Sequence, residues 1–178
     1  MVLYTNQAFF DVTRAPSWTA ALNDGKLRIP LQGLGSVTPD FARVLKHELA
    51  HSFVNQLSMG RCPHWLNEGI AQMLEPRSLG SGGPRLAELF KLEREIPLNS
   101  LEGGFFSFSG IEAMLAYDES LATVEYLRSN YGMSDILRIL EKLGHGDSVE
   151  SALRSTIHCD YRQLQEEVGA ALLRQFGD

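Results

Sequence analysis

Residues 38–58 read TPDFARVLKHELAHSFVNQLS, and the pattern in this stretch decides the fold. Thr38 suits the N-cap of a helix, Pro39 suits its first position, and an acid at Asp40 is favoured by the helix dipole. We therefore predict a helix that begins here and runs to about Leu57. Apolar residues follow at helical spacing, and we expect this stripe to be buried: Phe41, Val44, Leu45, Leu49 and Phe53.

Residues 47–51 of this helix read His-Glu-Leu-Ala-His. Positions four apart in a helix differ by only about 40° around its axis, so the imidazoles of His47 and His51 leave the same face one turn apart. Zinc accepts neutral imidazole, and two such ligands fill half of a tetrahedral shell. Glu48 borders the same face, where its carboxylate could take a proton from a water bound to the metal. We interpret the motif as a zinc clamp with a built-in general base.

A third ligand is required, and Glu68 is the candidate. Sixteen residues separate it from His51, which allows the first helix to continue, reverse at residues 60–63 and lead into a second helix from about His64 to Leu74. Small residues follow at Gly69 and Ala71, where two helices must approach closely. Two imidazoles and one carboxylate leave a fourth metal position open for water, which is typical of catalytic rather than structural zinc sites.

The flanking sequence predicts a short sheet before these helices and helices after them. Residues 27–31, Leu-Arg-Ile-Pro-Leu, read as a strand, and its proline favours an edge position, where an extended peptide could add as a further strand. Residues 77–84 and 99–110 read as loops. Four further helices are predicted: 111–131 ended by Gly132, 134–143 ended by Gly144, one opened by Asp147, and 160–176.

These elements define an α+β fold with a small N-terminal mixed sheet, an active-site helix and a mostly helical C-terminal half. We expect one domain over residues 1–178, with the sheet and active-site helices in 1–76 and the helical half in 77–178. Hydrophobic residues make up 44% of the chain and charged residues 21%, as in an ordinary globular domain. The formal charge of −6 argues against nucleic acid as a partner, and no apolar run is long enough for membrane insertion.

The N-terminus shows no secretory signal, and residues 2–4 already read as a strand, so we expect a domain excised from a longer protein. The sequence does not indicate the cellular compartment of the protein. Cys62 and Cys159 allow at most one disulfide, which the sequence leaves undecided. The remaining histidines lie at predicted helix ends or loops, and we interpret them as surface or capping residues: His64, His145 and His158.

The chain resembles the gluzincins, zinc metallopeptidases of the thermolysin and aminopeptidase type, and in particular bacterial peptidase MA-like domains. The similarity rests on His47–His51, on residues 65–71 (Trp-Leu-Asn-Glu-Gly-Ile-Ala), and on residues 116–120 (Ala-Tyr-Asp-Glu-Ser). The resemblance implies that the α+β fold is zincin-like, that His47, His51 and Glu68 bind zinc, that Glu48 activates water, and that a peptide or protein is the substrate. Tyr117 matches the position of a tyrosine that donates a hydrogen bond to the developing oxyanion in related enzymes.

Two features depart from that pattern. The Gly-Ala-Met-Glu-Asn motif that binds the substrate amine in aminopeptidases has no counterpart, so aminopeptidase specificity does not follow. Gln72 stands where thermolysin-type enzymes carry an acid, and we expect Glu75 or Asn67 to orient a histidine instead. The main hypothesis is zinc-dependent hydrolysis of peptide bonds. A metal-binding interaction module without hydrolytic activity, within a larger assembly, remains the alternative, and a helical scaffold without metal is a third.

Overall fold

The computed structural model describes residues 2–15, 22–23, 27–31, 38–80 and 82–177. These residues form three short strands, eight α-helices and two 3₁₀ turns. In chain order the elements are β1 (Val2–Thr5), α1 (Asn6–Thr13), β2 (Leu22–Asn23), β3 (Leu27–Leu31), α2 (Pro39–Ser58), α3 (His64–Leu74), α4 (Gly82–Lys91), the 3₁₀ turns Leu98–Leu101 and Phe105–Ser107, α5 (Gly110–Asn130), α6 (Met133–His145), α7 (Val149–Ile157) and α8 (Tyr161–Phe176).

The three described strands form one mixed sheet in the order β1-β3-β2. β1 runs parallel to β3, with Val2 opposite Arg28, and β2 runs antiparallel to β3, with Leu22 opposite the same arginine. The predicted α+β, zincin-like architecture is therefore confirmed, with a small N-terminal sheet and a helical remainder.

The predicted edge position of β3 is wrong, because β3 is the central strand of the described sheet. In the described residues β2 comprises Leu22 and Asn23, which pair with Arg28 and Leu27. The expectation that a peptide adds to residues 27–31 as a further strand loses its basis with this position.

α2 begins where the sequence predicts. The Thr38 Oγ1 accepts a hydrogen bond from the Phe41 N–H at 3.1 Å, and Pro39 and Asp40 occupy the first turn. The helix continues to Ser58 and ends at Met59, which adopts a left-handed conformation with φ of 51°. The cap thus fixes where the helix starts, and with it the rotation of the motif residues about the helix axis.

The face that α2 buries differs from the predicted stripe. Leu49 and Phe53 are 41% and 64% exposed, whereas Ala50, Val54 and Ser58 are buried. α3 and α6 pack against α2, and they cover a face that is offset by one position from the predicted one. Amphipathic spacing therefore found a helix here but misplaced its contact face.

α3 lies unusually close to α5, and a glycine makes this possible. A Cβ on Gly69 would lie 2.3 Å from the backbone oxygen of Ser120 and 2.5 Å from Cγ2 of Val124. Any side chain at this position would force the two helices apart. Since Glu68 precedes this contact, the close packing of α3 on α5 also sets the position of the Glu68 carboxylate.

Three boundaries in the helical half differ from prediction, and two of them involve closely packed glycines. The predicted loop at 77–84 gives way to α4 at Gly82, whose missing Cβ leaves space for Asp118. α6 passes through Gly144, where a Cβ would meet the Leu57 backbone oxygen at 2.4 Å, and it ends only at Gly146. The next helix is capped by Ser148, one residue after the predicted Asp147. Gly82 and Gly144 therefore allow close helix packing and do not form turns.

Two further observations concern the cysteines and the lengths of the described helices. Cys62 and Cys159 are both free thiols, so they do not form a disulfide. None of the described helices combines the length and the apolar character that crossing a membrane requires.

Glu119 of α5 is a buried acid that should make stability depend on pH. It is 1% exposed, its Oε2 accepts a hydrogen bond from the Ile96 N–H at 3.3 Å, and burial raises its pKa to about 8. An unfolded chain ionises near 4.5, so the folded state binds an extra proton between these values and loses stability as pH rises through them. Glu119→Gln removes the cost of ionising this buried carboxyl. We expect the free energy of unfolding of the variant to match that of wild type at pH 5 and to exceed it by about 2–4 kcal/mol at pH 8.5.

Denaturant unfolding at the two pH values measures this effect. Glu141→Gln, which changes an exposed glutamate of α6, is the matched control and should not alter the pH dependence. If Glu119→Gln and wild type differed in free energy of unfolding by the same amount at both pH values, Glu119 would not be the source of the pH dependence.

Candidate metal centre

α2 and α3 bring together three side chains that could hold a metal ion. The rings of His47 and His51 lie edge to face with centroids 4.7 Å apart. The Nε2 of His47 is 3.6 Å from Oε2 of Glu68, and the Nε2 of His51 is 3.7 Å from Oε1 of the same carboxylate. One ligand atom from each residue lies within 4.8 Å of the other two. The arrangement is compatible with a single ion bound between them.

The outer ring nitrogens also have partners that suit a metal site. The Nδ1 of His51 lies 2.9 Å from Oδ1 of Asn67, and an Nδ1–H donated there leaves the Nε2 lone pair free to face Glu68. The Nδ1 of His47 is 3.3 Å from Oε2 of Glu75, an ion-pair contact without hydrogen-bond geometry. Of the two residues expected to orient a histidine, Asn67 forms a hydrogen bond with the ring of His51, and Glu75 contacts the ring of His47 without one. The donor set and its surroundings therefore fit a divalent cation.

The electrostatics of the site favour a cation between these groups. Burial is the main reason that the pKa of His47 falls to about 4, and the nearby His51, Arg43 and Arg77 contribute to the same lowering. His47 is therefore neutral at pH 7, as a metal ligand must be. Burial raises the pKa of Glu68 to about 7, and the carboxylate of Glu75 adds to this effect. A buried carboxylate that lacks a positive partner is unfavourable, and a bound cation would remove that cost.

Glu48 lies beside the three-residue cluster. It is half-buried on α2. Burial is the main cause of its raised pKa, which the charge of His51 partly offsets and the charge of Glu68 reinforces. A carboxylate with a raised pKa holds a proton more readily, which is the property a general base needs.

Tyr117 lies on α5, the helix against which α3 packs. Its half-buried ring packs edge-on against Phe105, with centroids 5.2 Å apart. Burial and then the charge of Glu68 raise the pKa of its phenol. Its hydroxyl makes no hydrogen bond with any residue in the described part of the chain. The structure thus places a phenolic donor in the electrostatic range of Glu68, on the helix against which α3 packs.

Gln72 occupies the position where thermolysin-type enzymes carry an acid. Its Nε2 donates to the backbone oxygen of Tyr117 at 2.9 Å and to that of Glu68 at 3.3 Å. Gln72 therefore joins α3 to α5 and leaves the contacts with the histidine rings to Asn67 and Glu75.

Sequence reasoning missed two residues next to the site. His64, interpreted as a surface or capping residue, lies with its Nε2 3.6 Å from Oε1 of Glu68. Arg43 extends its guanidinium to Glu75, with Nη1 to Oε2 at 3.3 Å. The sequence signal for both residues was helical spacing. His64 precedes Glu68 by four residues, and Arg43 precedes His47 by four, so each lies one turn from a residue of the candidate site.

A zincin-like fold that carries His-Glu-x-x-His on one helix and a facing glutamate on the next defines the class of protein. The family described as the peptidase MA superfamily matches residues 5–173. The chain therefore belongs to the peptidase MA superfamily, and the resemblance noted from its motifs is confirmed. No curated protein and no solved structure gave a significant match.

Proposed function

We propose that this protein hydrolyses peptide bonds with a zinc ion held by His47, His51 and Glu68 and with Glu48 as the general base. The observation that carries this proposal is the convergence of the two Nε2 atoms and the Glu68 carboxylate within 4.8 Å. The superfamily supports it further, since it is a superfamily of peptidases whose substrates are proteins or peptides. A bound zinc ion would supply a Lewis acid that acidifies a water molecule and polarises the substrate carbonyl.

The chain's own residues would prepare the site for this reaction. Asn67, 2.9 Å from Nδ1 of His51, fixes the orientation of one ring, and Glu75 lies against Nδ1 of His47. Neutral imidazoles keep both Nε2 lone pairs available for the ion. The site is thereby organised before any metal arrives.

Glu48 and Tyr117 would act on the reacting groups. The Glu48 carboxylate takes a proton from the attacking water while the water oxygen bonds to the peptide carbon. It then returns that proton to the nitrogen, the C–N bond breaks, and a carboxyl and an amine are released. The phenol of Tyr117, which has no hydrogen bond to a described residue, donates to the oxygen on which negative charge develops.

A digest of an unbiased peptide library, read by mass spectrometry, tests the proposal. We expect cleavage by the zinc-loaded protein, loss of cleavage after removal of the metal with a chelator, and recovery when zinc is restored. Tyr117→Phe should cleave about 10²-fold more slowly while it binds zinc normally. A wild-type protein that binds zinc and cleaves no peptide would overturn the proposal in favour of a non-hydrolytic metal-binding module.

A further inference from the structure

His64 makes an unusual contact with the proposed metal centre. It is the first residue of α3, one helical turn before Glu68, and its Nε2 lies 3.6 Å from the Oε1 atom of that glutamate. It does not belong to the group whose ligand atoms all lie within 4.8 Å of one another. His64 therefore faces the third ligand from outside the cluster.

The Glu68 carboxylate faces three imidazoles. The side chain is buried, and within the described part of the chain it makes ion-pair contacts with the rings of His47, His51 and His64. When two of these rings direct their Nε2 lone pairs at an ion, they cannot also donate to the carboxylate. Of the three, His64 alone can then carry a proton on Nε2.

The His64 ring is held by groups outside α3. Its backbone N–H donates to the backbone oxygen of Glu102 at 2.9 Å. Its ring packs edge-on against Phe105, with centroids 4.5 Å apart, and Phe105 is 5% exposed. Phe105 in turn stacks on Phe108 with an interplanar angle of 7°. The imidazole is thus anchored to the core through the segment between α4 and α5.

We propose that His64 is a positioning residue that directs its Nε2–H at Oε1 of Glu68, across the 3.6 Å contact, and holds this carboxylate facing His47 and His51. The inference rests on the metal site of the proposed function. It assigns the affinity of the site for zinc in part to a residue that does not bind the ion. Partners of this kind are typically worth 10- to 100-fold in metal affinity, about the effect expected here.

Competition with a chromophoric zinc chelator tests this role by a readout that is independent of activity. We expect His64→Leu to raise the Kd for zinc by about 10- to 100-fold. His64→Gln, which retains an N–H donor, should stay within about threefold of wild type. Phe108→Leu is the control for packing, because it alters the same aromatic stack without a contact to Glu68, and it should leave the Kd unchanged.

Three results would overturn the inference. His64→Leu could bind zinc like wild type, in which case the metal site stands and His64 has no part in it. All three variants could weaken binding equally, which would assign the effect to packing of the aromatic segment. Wild-type protein could fail to bind zinc at all, and only this last result would also remove the proposed function.

Discussion

Glu48→Gln is expected to lower kcat/KM by about 10²- to 10⁴-fold while leaving zinc affinity close to that of wild type. The amide has the same shape as the carboxylate but accepts no proton at neutral pH, so water loses its base. Glu48 lies beside the ligand cluster and is not part of it, which is why the metal should remain bound. Peptide cleavage rates and zinc affinity, measured on the same preparation, check both halves of this prediction.

Glu88→Gln provides the matched control, since Glu88 is an exposed acid on α4 and the substitution makes the same chemical change. It should retain full activity. If Glu48→Gln cleaved peptides at the wild-type rate, the assignment of the general base would be wrong even if the metal site were correct.

Glu68→Gln is expected to weaken zinc binding by about 10³-fold, because it replaces a charged ligand with a neutral amide in a site of three ligands. The metal-free variant should nevertheless be more stable than metal-free wild type at pH 8, by about 1–3 kcal/mol. Burial raises the pKa of Glu68 to about 7, so the folded wild type loses stability as pH rises from 4.5 towards that value. Gln at position 68 carries no buried charge.

Equilibrium dialysis with zinc and denaturant unfolding in a chelator separate the two effects. A variant that loses zinc and also unfolds more easily at pH 8 would show that Glu68 is mainly structural. A variant that keeps the wild-type affinity would show that the carboxylate does not bind the ion.

The convergence of His47, His51 and Glu68 could be predicted because its geometry is almost entirely local. The spacing of His47 and His51 fixes their common face once a helix forms, and the cap at Thr38 ensures that it does. Glu68 follows after a short connection, so few chain paths can return it to any other place. Local rules were sufficient for these residues.

The contact faces of the helices could not be predicted in the same way. Leu49 and Phe53 are exposed although they fit an apolar stripe, because the positions of α3 and α6 decide which side of α2 is covered. Gly82 and Gly144 were taken as loop or stop signals, whereas each permits close packing with a distant element. Helical periodicity gives no information about partners far away in the sequence.

The residues next to His47, His51 and Glu68 could be predicted only in part. Asn67 and Glu75 were candidates because they lie on the same helix as Glu68, and the structure assigns one to each histidine. The role of His64 depends also on Phe105, which comes from a segment after α4. Its helical spacing to Glu68 was visible in the sequence, but the ring contact that anchors it was not.

Zinc content and zinc-edge X-ray absorption of the wild-type protein, after loading with zinc and removal of free metal, test the account most directly. We predict about one zinc ion per chain, bound by two imidazole nitrogens and a carboxylate oxygen, at distances of roughly 2.0–2.2 Å. A protein that retains no stoichiometric zinc after loading, or one whose bound zinc shows no imidazole ligands, would contradict it.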